Sequence, residues 1–300
     1  MNLNRRQLLA GGLAALHPAG AAGALERSRV SVITDEIARS PEDAIAFAKQ
    51  YGLSLVELRN VPGQRRHYDA LDKQELNEAA RQFRDAGLKI SFFNSGLLKH
   101  MLPGTQPANP RHRQEDAQQR FDARMEALRR SIRAAQILGV DQVRVFAFLR
   151  VREPLALLPR IAEILAEMAG AAEREGVRLL VENEGSCNVA TCAELAALLR
   201  LLPSRAIGIN WDPHNGIHFN EQPLEAGYPM LPKDRIGNVQ IKGKSVLPEW
   251  SQLLDWRAIF ETMTRDGYRG AFGLETHIFG DGQIAASHAS MREILRIADS

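Results

Sequence analysis

The chain has 300 residues, 45% of them hydrophobic and 25% charged, and a formal net charge of +2 at pH 7. That length and apolar content can bury a large core, enough for one barrel-sized domain or two smaller ones. The near balance of charges gives no indication of a nucleic-acid partner, and after the first two dozen residues no apolar run is long enough for stable membrane association.

The N-terminal segment has the pattern of an export signal. Arg5 and Arg6 precede a stretch rich in Gly, Ala and Leu, and Ala22-Gly23-Ala24 fits a small-residue cleavage site. We predict a twin-arginine signal peptide over residues 1–24 and a periplasmic or otherwise exported mature protein of residues 25–300. The alternative is a disordered Ala/Gly tail.

The first half of the mature chain alternates apolar and amphipathic segments. Apolar runs predict strands over residues 30–36, 53–58, 88–94 and 141–148. Ser40-Pro41 marks the start of the first helix, because Ser caps helices and Pro suits their first position. After the third strand comes a proline-marked loop, Gly96 to Pro110, which we expect to lie over the site, followed by a helix from about Arg113 to Leu138.

Four strands of the second half each end in a polar residue, at intervals of roughly thirty residues, about one strand-plus-helix unit. The residues that follow these apolar runs are Glu182, Asp212, Gln240 and Glu275. An unpaired carboxylate inside a buried strand is costly, so these side chains belong at the carboxyl ends of the strands. The alternation predicts a single-domain α/β fold, a (β/α)8 TIM barrel. An open doubly wound sheet is the alternative, although no Gly-x-Gly-x-x-Gly turn follows the first strand.

Cys187 and Cys192 are the two cysteines of the chain. An oxidising compartment permits a disulfide between them, but local geometry can forbid it, and we favour two free thiols. Without further cysteines they do not form a zinc-ribbon pattern.

Several short motifs, taken in chain order, resemble the sugar phosphate isomerase/epimerase superfamily, the xylose isomerase-like barrels that also include endonuclease IV. The resemblance covers about Val30 to Ala298. It rests on Thr34-Asp35-Glu36, Val56-Glu57-Leu58-Arg59, Val181-Glu182-Asn183, Trp211-Asp212-Pro213-His214-Asn215, Asp255-Trp256, and Gly267-Tyr268 leading to Leu274-Glu275-Thr276-His277.

The resemblance implies one divalent metal ion at the barrel mouth, held by Glu, Asp, His and Glu from strands five to eight. Carried over to this sequence, the ligands are Glu182, Asp212, Gln240 and Glu275. Gln240 departs from the family, which usually has His there. An all-oxygen set favours Mn²⁺ or Mg²⁺ over Zn²⁺. The alternative is a structural ion-pair network of the two Glu residues with Lys242, Lys244 or Arg144.

Six polar residues near strand ends are candidates for contacts with a polar substrate, although each could equally serve the scaffold. They are Glu57, Arg59, Asn94, His214, Lys242 and His277.

The implied chemistry is removal of a proton next to a carbonyl, with Glu182 and Glu275 as the acid and base. Because export argues against phosphorylated substrates, we expect an isomerase or epimerase of a free sugar or keto-sugar. The alternatives are a lyase or hydrolase of 3-keto-glycosides and a non-catalytic sugar-binding barrel. An endonuclease IV-like enzyme is disfavoured, since it needs a mouth rich in His. The expected partner is a small carbohydrate, and homo-oligomerisation is left open.

Overall fold

The computed structural model describes residues 24–112 and 114–300, without the side chains of 250–252. The predicted signal peptide therefore lies outside the described residues except for Ala24. Eight strands form one sheet: β1 Val30–Val32, β2 Leu55–Leu58, β3 Lys89–Leu97, β4 Gln142–Val145, β5 Arg178–Glu182, β6 Ile207–Trp211, β7 Ile236–Lys242 and β8 Ala271–Glu275.

All neighbouring strands run parallel, in the order β1-β8-β7-β6-β5-β4-β3-β2. A parallel bridge between Ile33, just beyond β1, and Glu57 of β2 joins the two ends of this order. The sheet thus closes on itself, as parallel strands followed by helices do in a TIM barrel. The predicted (β/α)8 barrel is confirmed, and the open doubly wound alternative is wrong.

Ten α-helices lie in the described chain. They are α1 Thr34–Ile37, α2 Pro41–Gln50, α3 Lys73–Asp85, α4 Ala117–Asp122, α5 Arg124–Leu138, α6 Pro154–Arg174, α7 Cys192–Arg200, α8 Pro213–Ile217, α9 Trp256–Arg265 and α10 Gln283–Asp299. As predicted, Ser40 caps α2, its side chain accepting a hydrogen bond from the Asp43 amide at 3.1 Å. None of these helices combines the length and apolar character that crossing a bilayer requires.

Three elements differ from the sequence-based expectation. The first predicted strand, residues 30–36, ends at Val32, and its last residues belong to the short helix Thr34–Ile37. The predicted helix up to Leu138 is divided into α4 and α5 at Ala123, where no proline or glycine signals a break. The fourth strand ends at Val145 instead of continuing to Phe148, whose φ is 55°. Asn188 explains the early end, because its side-chain amide donates to the carbonyls of Ala147 and Leu149 at 2.9 and 3.0 Å.

The long loop after β3 lies against the loops that follow β4 and β5. Met101 is buried in a small apolar cluster with Phe146, Leu149, Val151 and Cys187. Lys99 extends from the same loop to Glu184, with 3.1 Å between Nζ and Oε2. Cys187 and Cys192 are both buried and both free, as favoured from the sequence.

Candidate active site

Three carboxylates meet at the carboxyl end of the barrel. Glu182 ends β5, Asp212 follows β6 and Glu275 ends β8. Each offers an oxygen, and these oxygens lie within 4.8 Å of one another. All three side chains are buried. We call these residues the acid triad.

Glu182 is held from two neighbouring strands. Its Oε2 accepts hydrogen bonds from the Arg144 guanidinium of β4 at 3.0 Å and from the Asn210 amide of β6 at 2.8 Å. Arg144 is itself buried and also donates to the Ser95 carbonyl at 3.1 Å. The buried charge of Glu182 is thus paired, and its direction is fixed.

Asp212 is the N-cap of the short helix α8. Its Oδ1 accepts from the backbone amides of His214 and Asn215 at 2.9 and 3.2 Å, and its Oδ2 accepts from the Asn215 side chain at 2.9 Å. The Asn183 side chain clamps the Asp212 backbone, bonding its carbonyl at 2.7 Å and its amide at 2.8 Å. Burial raises the pKa of Asp212 to about 7.

Lys242, the last residue of β7, places its ammonium group between two members of the acid triad. Its Nζ lies 3.1 Å from Asp212 Oδ2 and contacts Glu275 Oε2 more closely. Burial opposes its charge, but the carboxylates of Asp212, Glu275 and Glu182 outweigh that effect and raise the pKa of Lys242 well above its ordinary value. The ammonium is therefore a buried counter-ion of the acid triad.

The rim beside Glu275 is a second group of ion pairs. Arg59 lies 3.3 Å from Glu275 Oε1 and 2.9 Å from both Asp35 Oδ2 and Glu36 Oε1. Glu36 also accepts from the His277 backbone amide at 2.8 Å. Although burial opposes ionisation, Lys242 and the other cations hold the pKa of Glu275 well below its usual range. Arg59 is thus committed to carboxylates of the protein.

A buried amide network lies inside the barrel, formed by Glu57, Asn94, Asn210, Asn238 and Gln240. Glu57 Oε2 accepts from the Asn94 and Gln240 amides, both at 2.8 Å, and its Oε1 accepts from Asn238 at 3.2 Å. Asn238 donates in turn to Asn210 at 3.0 Å. Since Asn210 also bonds Glu182, a chain of hydrogen bonds connects the network to the acid triad.

The side-chain amide of Gln240 has a hydrogen-bonded nitrogen and an unpartnered oxygen. Its nitrogen donates to Glu57, whereas its Oε1 is buried without a hydrogen-bond partner among the described residues. A buried oxygen of this kind is costly unless something outside the protein bonds it. Gly273 makes room for the arrangement, because a Cβ there would lie 1.9 Å from Glu57 Oε1.

The other residues predicted to contact substrate lie at different depths. Glu57 and Asn94 are completely buried in the amide network. His214 is half-buried, and burial and the Lys242 charge lower its pKa to about 4. His277 is the most exposed: its side chain retains 49% of its accessible surface, with Nδ1 3.7 Å from Glu275 Oε1.

Three residues that hold the site were not predicted to belong to it: Glu36, Asn210 and Asn238. Arg144 was expected only in the alternative ion-pair network, and the structure contains pairs of that network, Arg144 with Glu182 and Lys242 with Glu275. Asn210 and Asn238 precede Asp212 and Gln240 by two residues, so strand periodicity places each pair on one face. That spacing was the available signal for the two asparagines.

The donor set fits a divalent cation. Three carboxylates with oxygens this close together match the preference of hard cations for oxygen ligands, and the unpartnered Gln240 Oε1 is a further donor of the same kind. Lys242 already forms ion pairs with two of these carboxylates, Asp212 and Glu275.

Comparison with proteins of known structure gives many similar barrels at low sequence identity. L-ribulose 3-epimerase is 20% identical, with a TM-score of 0.64 and coverage of 90% of this chain and 92% of the other. The apo form of 3-keto-D-glucoside 4-epimerase, YcjR, from E. coli is 14% identical, with a TM-score of 0.68 and coverage of 90% and 98%. The IOLI protein with a bound zinc atom is 13% identical, with a TM-score of 0.66 and coverage of 90% and 96%.

At these identities the similarity establishes a shared fold. No curated protein matches the sequence. The family model described as xylose isomerase-like TIM barrel matches residues 45–296, most of the length of the barrel. The chain therefore belongs to the xylose isomerase-like TIM barrel family.

Proposed function

We propose that the protein is a metal-dependent isomerase or epimerase that removes a proton next to the carbonyl of a free sugar or keto-sugar. The observation that carries this proposal is the acid triad, three buried carboxylates on different strands with oxygens within 4.8 Å of one another. Two structural neighbours are sugar 3- and 4-epimerases, and a third binds zinc, which supports both the reaction class and a metal.

In this proposal Glu182, Asp212, Glu275 and the Gln240 carbonyl oxygen hold one divalent ion, Mn²⁺ or Mg²⁺ in preference to Zn²⁺. When bound, such an ion polarises a substrate carbonyl and stabilises the negative charge that develops after proton removal. The all-oxygen donor set supports the choice of a hard cation.

The protein's own groups position the substrate and move the proton. Arg144 and Asn210 fix the direction of the Glu182 carboxylate, and Arg59 does the same for Glu275. These two carboxylates come from strands β5 and β8, so one can remove a proton and the other return one to a different face of the sugar. His277, exposed at the rim, is in reach of substrate hydroxyl groups.

The experiment incubates metal-loaded protein in D₂O with ketopentoses, ketohexoses and 3-keto-glycosides. We expect deuterium at the carbon next to the carbonyl, measured by NMR. Glu182→Gln or Glu275→Gln should lower exchange by at least ~10²-fold, the usual size of a lost acid or base. Glu184→Gln is the matched control, because Glu184 lies at the same mouth outside the acid triad.

Two other results would contradict the proposal. Saturable sugar binding without exchange would indicate a non-catalytic sugar-binding barrel. Release of the aglycone from a 3-keto-glycoside, without isomerised product, would indicate a lyase. Near-normal exchange in either triad variant, with the metal still bound, would remove that residue from the mechanism.

A further inference from the structure

We infer that Lys242 is the resident cation of the acid triad and that a divalent ion binds there only by displacing its ammonium group. The inference rests on the metal site of the proposed function and adds the residue that controls its affinity. The sequence indicated Lys242 as a candidate substrate contact and, in the alternative, as an ion-pair partner of the two Glu residues.

The contacts of Lys242 show which carboxylate oxygens its ammonium and a divalent ion would compete for. Its Nζ pairs with Asp212 Oδ2 at 3.1 Å and with Glu275 Oε2. Lys242 and Glu275 are also neighbours in the ladder between β7 and β8, so the lysine is anchored directly beside the carboxylate that it neutralises. Only 4% of Lys242 is exposed, which leaves its ammonium little contact with solvent.

The charges around the acid triad are the second reason to expect a divalent ion to displace Lys242. When all its members are ionised the acid triad carries three negative charges, and three cations contact it: Arg144 on Glu182, Arg59 on Glu275, and Lys242 on Asp212 and Glu275. Arg59 is shared with Asp35 and Glu36, so it neutralises the triad only in part. A divalent ion bound to Asp212 and Glu275 would place two positive charges beside the Lys242 ammonium at low dielectric, where repulsion is strong. We therefore expect binding to displace one of the three cations.

Lys242 is the cation that can leave. The two arginines each have further partners that hold them: Arg144 bonds the Ser95 carbonyl, and Arg59 bonds Asp35 and Glu36. Lys242, by contrast, has a compact charge on a flexible four-carbon stem, and its two ion pairs among the described residues are both with the acid triad. Displacement of Lys242 frees two carboxylate oxygens and leaves both arginine pairs in place.

The first test measures Mn²⁺ affinity by calorimetry after removal of metal with a chelator. Lys242→Met should bind Mn²⁺ about 10- to 100-fold more tightly than the parent protein, the range of effects seen for groups that contact metal ligands. Lys99→Met is the matched control, because Lys99 lies at the same mouth but pairs with Glu184. It should bind as the parent does. Unchanged or weaker binding in Lys242→Met would overturn the inference.

The second test uses the unmodified protein, so it does not depend on the folding of a variant. Brief acylation with an amine-reactive ester, followed by peptide mass spectrometry, reports the accessibility of each lysine. Lys242 should be labelled at least several-fold faster with Mn²⁺ than without it, because displacement frees its ammonium from the buried pairs. Lys99 should be labelled equally in both conditions. Equal or slower labelling of Lys242 with Mn²⁺ would overturn the inference.

The outcomes separate this inference from the proposed function. If the parent protein binds Mn²⁺ at the acid triad and Lys242→Met does not bind more tightly, the displacement mechanism is wrong and the metal site stands. If neither protein binds Mn²⁺, the metal site of the proposed function is wrong, and the inference fails with it.

Discussion

Glu57 is the one acid of the amide network, and its side-chain hydrogen-bond partners among the described residues are all amides. Three side-chain amides donate to its two oxygens, and its exposed fraction is 0%. Burial is the largest influence and raises the pKa of Glu57 to about 7, against the opposite effect of those hydrogen bonds. Ionisation of this one group should therefore affect the stability of the whole barrel.

The pKa of Glu57 is about 7 in the folded protein and 4.5 in the unfolded chain, and this difference determines whether stability rises or falls with pH. Between pH 4.5 and about 7 the folded protein retains the Glu57 proton that the unfolded chain has released, so Glu57 lowers the free energy of unfolding as the pH rises. We expect the stability of metal-free parent protein relative to Glu57→Gln to fall by at most about 3 kcal/mol from pH 4.5 to pH 8. Urea denaturation at each pH measures it.

The exposed residue Glu163 supplies the control, since Glu163→Gln should keep the pH dependence of the parent. The same dependence in Glu57→Gln and in the parent would show that Glu57 stays ionised, or stays neutral, throughout the range.

The location of a side chain could be predicted from the sequence where its position along a strand alone determines it. A carboxylate at the end of a buried strand has to reach the mouth, so Glu182, Asp212 and Glu275 could be placed together from the sequence. Depth inside the barrel could not be predicted. Glu57 also lies on a strand, but whether its side chain meets the mouth or the interior depends on the stagger of β2 against β3, where the register shifts after Val56.

At the scale of elements, Arg235 connects the parts of the barrel opposite the mouth. It precedes β7 and donates to backbone carbonyls of Ile207 at 3.0 Å, Leu202 at 2.7 Å and Ser204 at 2.8 Å. These acceptors lie at the start of β6 and in the segment between α7 and β6. The side chain is buried, so these hydrogen bonds compensate in large part for burying its charge.

Arg235→Gln should lower the free energy of unfolding by about 3 kcal/mol, because it leaves several buried carbonyls without a donor. Arg205→Gln is a matched control. Arg205 forms an ion pair with Asp234 in which both side chains are more than half exposed, so its loss should cost less than about 1 kcal/mol. Guanidinium denaturation compares the two, and equal losses would contradict the role of Arg235.

Element boundaries show where periodicity fails as a predictor. Apolar repeats gave the number and order of the strands, because burial against helices imposes them. They did not give the end of β4, which is set by Asn188, more than forty residues away in the sequence, through hydrogen bonds to carbonyls. They also missed the break at Ala123, where the sequence has neither a proline nor a glycine.

On the scale of the whole molecule, the start of the predicted mature chain belongs to the folded body. Leu25 is buried, and its backbone amide bonds the Ala298 carbonyl near the end of α10 at 3.2 Å. Cleavage after Ala24 would therefore leave a chain whose first residue is already part of the folded body. We propose that the protein is exported, and the twin-arginine route suits a chain that folds before transport.

Replacing Arg5 and Arg6 by lysine tests this proposal, because the twin-arginine pathway recognises the arginine pair and not its charge alone. We expect precursor to accumulate in the cytoplasm and the mature form, starting at Leu25 by N-terminal sequencing, to be lost from the periplasm. Arg65 and Arg66 form a second adjacent arginine pair, in a loop of the folded body, so their replacement by lysine is the matched control and should leave export unchanged. If mature protein still reaches the periplasm in the Arg5/Arg6 variant, either another route carries the protein or the pair is not a signal.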